Sequence, residues 1–176
     1  MNFREYTEES KKTLGYSTSE KLISCCMLEL VGECVEYLEK AYGEEYHKED
    51  ELKKELGDFC YSLAMLPAHY HVDVSKTEAP FSITEIRRRP PNLLDDGLYC
   101  LGKLSEIVKK TIRDDDWRLT RARYEMFKHY LDSLYTYVLQ ECTDRDWNLS
   151  DVLYMNVEKL QDRLARNKIN GDGDNR

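Results

Sequence analysis

The sequence predicts an all-α protein, a helical bundle built from two related helix pairs. Three observations carry that expectation. Apolar residues recur at three- and four-residue spacing through most of the 176 positions, the period of a helix with one buried face. Only 8 glycines and 4 prolines are present, too few turn formers for a sandwich or barrel of many short strands. Apolar residues make up 41% of the chain, too many for a disordered one, and the length suffices to bury a core without disulfides or metals.

The elements follow in order. Asn2 and Glu5 have capping-box spacing and open a short helix to about Leu14, where Gly15 breaks it. Ser17 and Glu20 repeat the capping pattern before a long helix that ends near Gly43. A third helix runs from about Lys48 to the HYH at 69–71, and Pro67 is expected to kink or end it. Residues 72–91 hold three of the four prolines and the run Arg87, Arg88 and Arg89. They read as a linker with little regular structure, and the arginines as a solvated face before a phosphate-steering patch. Helical pattern returns from about Leu93 to Arg113 and from about Trp117 to Glu141. A last helix starts after Asn148 or Ser150 and runs to about Asn167, before the Gly- and Asp-rich tail INGDGDNR.

Compared with itself at an offset of 70 residues, the chain repeats. Leu28 falls on Leu98, Gly32 on Gly102, Glu36 on Glu106, Lys40 on Lys110 and Glu55 on Glu125. The organisation expected is therefore one domain, 1–176. A first half covers 1–71, a linker 72–91, a second half 92–146, and a closing helix and tail 147–176.

The balance of 26 basic against 34 acidic residues gives a net charge of −8, the wrong sign for a nucleic-acid backbone binder. An acidic chain can still take phosphates if its carboxylates first bind a divalent cation. None of the six cysteines forms a CxxC pair, so they read as buried free thiols of a reduced compartment. The opening MNFREYTEES lacks the apolar core of a signal peptide, and no apolar run approaches the ~20 residues of a membrane span. A soluble, cytoplasmic protein with no membrane partner is expected.

The chemistry concentrates on two helices. Within Leu22–Leu38 the only charged residues are Glu29, Glu33 and Glu36, and at ~100° per residue they share an arc of about 60°. Lys40 continues the stripe. In the third helix Glu51, Glu55 and Asp58 share a similar arc, opposed by Leu52, Leu56, Phe59, Cys60 and Leu63. Packed antiparallel through the short Gly43–Lys48 connection, the helices could face Glu33 and Glu36 toward Glu55 and Asp58. Four such carboxylates left dry and unpaired cost several kcal/mol each. Hard divalent cations with oxygen ligands offset that cost. The plainer alternative is two solvated acidic faces.

These residues resemble a known family. GECVE at 32–36, followed by ELGDFCYSLA at 55–64, is similar to the ExxE…ExxD signature of the MazG-like all-α nucleoside triphosphate pyrophosphohydrolases, which include the dimeric dUTPases. NFREYTEESKKT resembles the first helix of bacterial and phage members, and MNVEKLQDRLARNKINGDGDNR their closing helix and tail. The resemblance covers about 1–71 and 147–176. It implies a helical bundle that uses Mg²⁺, or Mn²⁺, to cleave the α–β bond of a nucleoside triphosphate, giving a monophosphate and pyrophosphate. By motif, Glu33, Glu36, Glu55 and Asp58 would be the metal ligands, with Glu33 or Glu36 accepting a proton from the attacking water. Asn156, Lys159 and Arg163 match the closing N-x-x-K-x-x-x-R pattern and would contact substrate, together with Lys40. A homodimer or higher homo-oligomer in a bacterial or phage-infected cell is implied as well.

Two departures qualify the resemblance. About 75 residues separate the third helix from the closing one, where the family has a short turn, and this insertion is the second repeat. There Lys103 stands for Glu33 and Lys128 for Asp58, so the second half reads as a degenerate copy whose lysines would pair with Glu106 and Glu125. Gly32 also stands where some relatives carry a further Glu. Competing readings keep the fold but change the nucleotide, to an alarmone or phosphoribosyl-ATP, or make the chain a non-catalytic helical interaction module. Among weaker signals, Phe3, Tyr6, Tyr61 and Trp117 could stack on a base, although aromatic stripes are more often core, and His69 and His71 have poor spacing for a shared metal.

Overall fold

The computed structural model describes residues 1–16, 18–81, 92–166 and 168. Among these the regular structure is entirely helical, as the sequence predicts. The helices are α1 (Phe3–Lys11), α2 (Ser19–Tyr42), α3 (Glu49–His69), α4 (Leu98–Asp114), α5 (Arg121–Asp144) and α6 (Leu149–Ala165). A single π-turn, Leu93–Gly97, leads directly into α4. Ser17, the Arg87–Arg89 run and the INGDGDNR tail lie outside the described residues.

Local chemistry sets the helix ends. The Asn2–Glu5 capping box is present in both directions, with Glu5 N–H donating to Asn2 Oδ1 at 2.9 Å and Asn2 N–H to Glu5 Oε2 at 3.0 Å. α1 closes earlier than expected, because three successive amides of residues 12–14 bond three residues back and tighten its last turn. The cap of α2 is Thr18, whose Oγ1 accepts from Lys21 N–H at 3.2 Å. At Gly43 a Cβ would lie 2.2 Å from the Glu39 carbonyl oxygen, so only glycine lets the Gly43 N–H close the helix on that carbonyl at 2.8 Å. α3 runs through Pro67 and stops two residues later, where His71 turns to a φ of 54°.

The first half is α2 laid along α3, with α1 and α6 packed against α3 as well. α4 pairs with α5, and the two pairs meet where α2 touches α4 and α3 touches α5. One continuous core joins them; Tyr6, Tyr37, Phe59, Phe127 and Tyr137 are its largest buried side chains. All six cysteines are free thiols, five of them buried. No described helix is long and apolar enough to cross a membrane.

The linker expected at 72–91 has no regular structure over 72–81, yet α5 holds it down. Ser75 N–H donates to Asp132 Oδ1 at 2.8 Å, Thr77 N–H to Thr136 Oγ1 at 3.0 Å and Phe81 N–H to Ser133 Oγ at 2.8 Å. Tyr137 and Lys128 donate to the carbonyls of Phe81 and Asp73. Backbone groups that lack a helical partner thus find side chains instead.

Candidate functional site

Where α2 crosses α3, three carboxylates converge. One oxygen from each of Glu33, Glu55 and Asp58 lies within 4.8 Å of the others. Glu33 comes from the narrow acidic line of α2; Glu55 and Asp58 lie one turn apart on α3, and Glu55 is buried. Glu36, expected as a fourth ligand, does not join them. Its side chain is exposed, although its charge is felt at Glu33.

Cations from α2 and α6 and an amide from α6 complete the cluster. Lys40, one turn beyond Glu36, forms an ion pair with Glu55. Lys159 Nζ on α6 lies 2.5 Å from Asp58 Oδ2, and Asn156 Nδ2 donates to Asp58 Oδ1 at 2.7 Å. Arg163, one turn further, is buried, and its charge acts on Asp58. All four residues expected at the substrate therefore lie at the acid cluster, and Asn156, Lys40 and Lys159 bond its carboxylates directly.

Two features escape inspection of the sequence. Asn156 is oriented by Tyr6, whose hydroxyl donates to Asn156 Oδ1 at 2.7 Å and lies 3.3 Å from the Gly57 carbonyl. Burial pushes the Tyr6 phenol well up, so it stays a donor. A chain of bonds thus runs from α1 through α6 to Asp58 on α3. Gly57 makes this approach possible, since a Cβ there would meet Asn156 Cβ at 2.9 Å. In the sequence Tyr6 is one of four aromatics for which a role in the core and one in stacking look alike. Tyr6 and Phe3 are in fact buried in the core, while Tyr61 and Trp117 are half-buried.

The electrostatics follow from burial and crowding. Desolvation, then the charges of Asp58, Glu36 and Glu55, push the Glu33 carboxyl up to about 8, with Lys159 opposing. Burial also raises Asp58, against the pull of Lys159 and Arg163. The carboxylates are thus short of positive charge even with two lysines in place.

The second half departs from the expected pairing. Lys128 goes to Asp132 at 2.8 Å, and not to Glu125, which is exposed. Lys103 lies over the ring of Tyr99, and Glu106 pairs with Lys109 and Lys110. The reason is helical spacing: Asp132, Lys109 and Lys110 lie three or four residues from their partners on the same helix, which costs less ordering than bridging two helices. His69 and His71 belong to no cluster of potential metal ligands among the described residues.

No family model matches the chain, and no solved structure matches it. The chain is similar to the Gene 37 protein of Mycobacterium phage L5, with 37% identity over 75 residues. That match covers 43% of this chain and 66% of the phage protein.

Proposed function

We propose that the protein is a divalent-cation-dependent nucleotide pyrophosphohydrolase of the MazG-like kind, cleaving a (d)NTP at the α–β bond. The observation that carries this reading is the convergence of Glu33, Glu55 and Asp58, with Glu33 held up to about 8. Three oxygens crowded in a desolvated place, two on groups with raised affinity for a proton, are a donor set that suits a hard cation. Glu33, Glu55 and Asp58 would hold Mg²⁺, which supplies charge neutralisation of the triphosphate and a more acidic bound water.

The chain's own residues do the rest. Asn156, fixed by Tyr6, keeps Asp58 turned into the cluster. Lys40, Lys159 and Arg163 bring positive charge to its edge, where phosphate oxygens would bind. Glu36, exposed and outside the trio, takes the proton of the attacking water as oxygen bonds to the α-phosphorus and pyrophosphate leaves. The two helix pairs would be copies related by an approximate twofold axis, of which the second has lost its acids. Leu28 and Val35 remain exposed on α2, which favours cover from a second copy of the chain. The phage origin of the relative supports action inside a bacterial or phage-infected cell.

The test is a panel of ordinary and modified dNTPs with Mg²⁺, assayed for pyrophosphate against orthophosphate. Metal-dependent pyrophosphate release supports the reading. One observation favours a second reading: ion pairs with Lys40 and Lys159 already neutralise Glu55 and Asp58 in part, as in a purely structural cluster. Absence of turnover together with no effect of Mg²⁺ on thermal stability would decide for that helical interaction module.

A further inference from the structure

We propose that the groove between α4 and α5 is a second nucleotide-binding site, one that works without metal. A cavity of about 400 Å³ opens there, within the ~300–1,000 Å³ range of small-molecule sites. Its polar wall is basic: among the described residues, Lys103 and Lys110 from α4 and Arg123 from α5 face a single lining carboxylate, Glu106. That acid is shared, since Lys109 and Lys110 both pair with it. Arg123 is held by Asp115 at 2.5 Å with Asp114 at 3.9 Å, so Lys103, together with Lys110, which only shares Glu106 with Lys109, is placed to meet an anion.

The rest of the wall is apolar. Ile107, Met126 and Tyr130 line it, and Met126 is 52% exposed, an apolar side chain left to solvent beside a row of cations. Next to it, Lys103 Nζ lies 5.2 Å from the Tyr99 ring centre, and that ring stacks on Phe81 at 4.7 Å. A bare anion has no use for the apolar wall, and an uncharged ligand has none for the lysines. A molecule with a flat apolar body and a phosphate tail uses both.

The sequence repeat explains how such a site could arise. Lys103, Glu106 and Lys110 stand 70 residues after Glu33, Glu36 and Lys40. In the first half, carboxylates need a metal between themselves and a phosphate. In the second, the position that the repeat aligns with Glu33 carries the ammonium of Lys103, so the intermediary is not required. Binding here does not depend on the hydrolase reading and can be measured where that activity is silent.

The experiment is calorimetric titration of the full chain, in EDTA and at low salt, with ATP and separately with inorganic pyrophosphate. ATP is expected to bind and pyrophosphate to bind more weakly. The double substitution Lys103→Glu with Lys110→Glu should weaken ATP at least ~10-fold. Lys103→Gln, milder toward folding, should weaken it several-fold. Lys54→Gln, at an exposed lysine of α3 that does not line the groove, should leave it unchanged, which separates this site from a general loss of surface charge. No heat at about 1 mM ATP, a level that would reveal even weak binding, overturns the proposal. So does unchanged affinity in the folded lysine variants, or pyrophosphate binding as tightly as ATP.

Discussion

Glu33 keeps its proton to a higher pH than an ordinary carboxyl, and the sign of the consequence is definite. Below 4.5, the ordinary value, both folded and unfolded chains hold the proton. Between 4.5 and about 8 only the folded chain does, so each step up in pH weakens the fold, and the loss is complete above about 8. Thermal melts of the EDTA-treated protein should show a midpoint that falls across this window, and Glu33→Gln should flatten the fall. At Asp58 the expected effect is on turnover. Asp58→Ala removes an oxygen that no neighbour replaces and should lower activity at least ~10²-fold at saturating Mg²⁺. Glu106→Ala, at a half-buried position of α4 away from the acid cluster, should leave activity close to unchanged; equal loss in both variants would refute the assignment of one live and one degenerate half. Tyr6→Phe leaves Asn156 Oδ1 without its donor in a buried place and should cost about 1 kcal/mol or more in denaturant unfolding.

At the scale of elements, α3 and α6 are set by one glycine. Gly57→Ala would push Asn156 away and open the helix contact, at a cost of about 1–3 kcal/mol. Because Asn156 holds Asp58, turnover should fall together with stability, whereas Gly32→Ala, with open space at its Cβ, should affect packing little. Urea unfolding and steady-state rates of the two variants check this. Much of this level could be read from periodicity. The helical segments were foreseen, and Glu33, Glu55 and Asp58 share one site because 100° per residue places them on facing stripes. The position of Glu36 could not be read in this way. One turn separates it from Glu33, and whether that turn leads into the cluster or into solvent depends on the crossing of α2 and α3. Nor was the role of Asn156 visible, since it depends on how α1 and α6 come together 150 residues apart in sequence.

For the whole molecule, the relevant question is what relieves the crowded charge. If a divalent cation displaces the Glu33 proton, added Mg²⁺ should raise the melting temperature more above pH 8 than near 5, because less proton competes. Differential scanning at the two pH values measures it, and an equal shift would mean binding elsewhere. The same scale decides oligomeric state. α2 carries Leu28, 73% exposed, and Val35 on its outer side, so light scattering at micromolar concentration is expected to give a dimer. A monomer there would mean that the contact of α2 with α4 supplies all the cover the fold needs.

The segment 73–79 has a further consequence, for how the molecule opens. It is fastened by the Ser75 and Thr77 N–H groups, which donate to the side chains of Asp132 and Thr136, and most of its own residues are polar and exposed. Releasing them uncovers little apolar area, and sensitivity to denaturant scales with area uncovered. The Ser75 and Thr77 amides should therefore exchange with deuterium through a local opening whose rate hardly changes with low urea. The amides of α3 and α5 beneath should become exchangeable only as the whole core gives way.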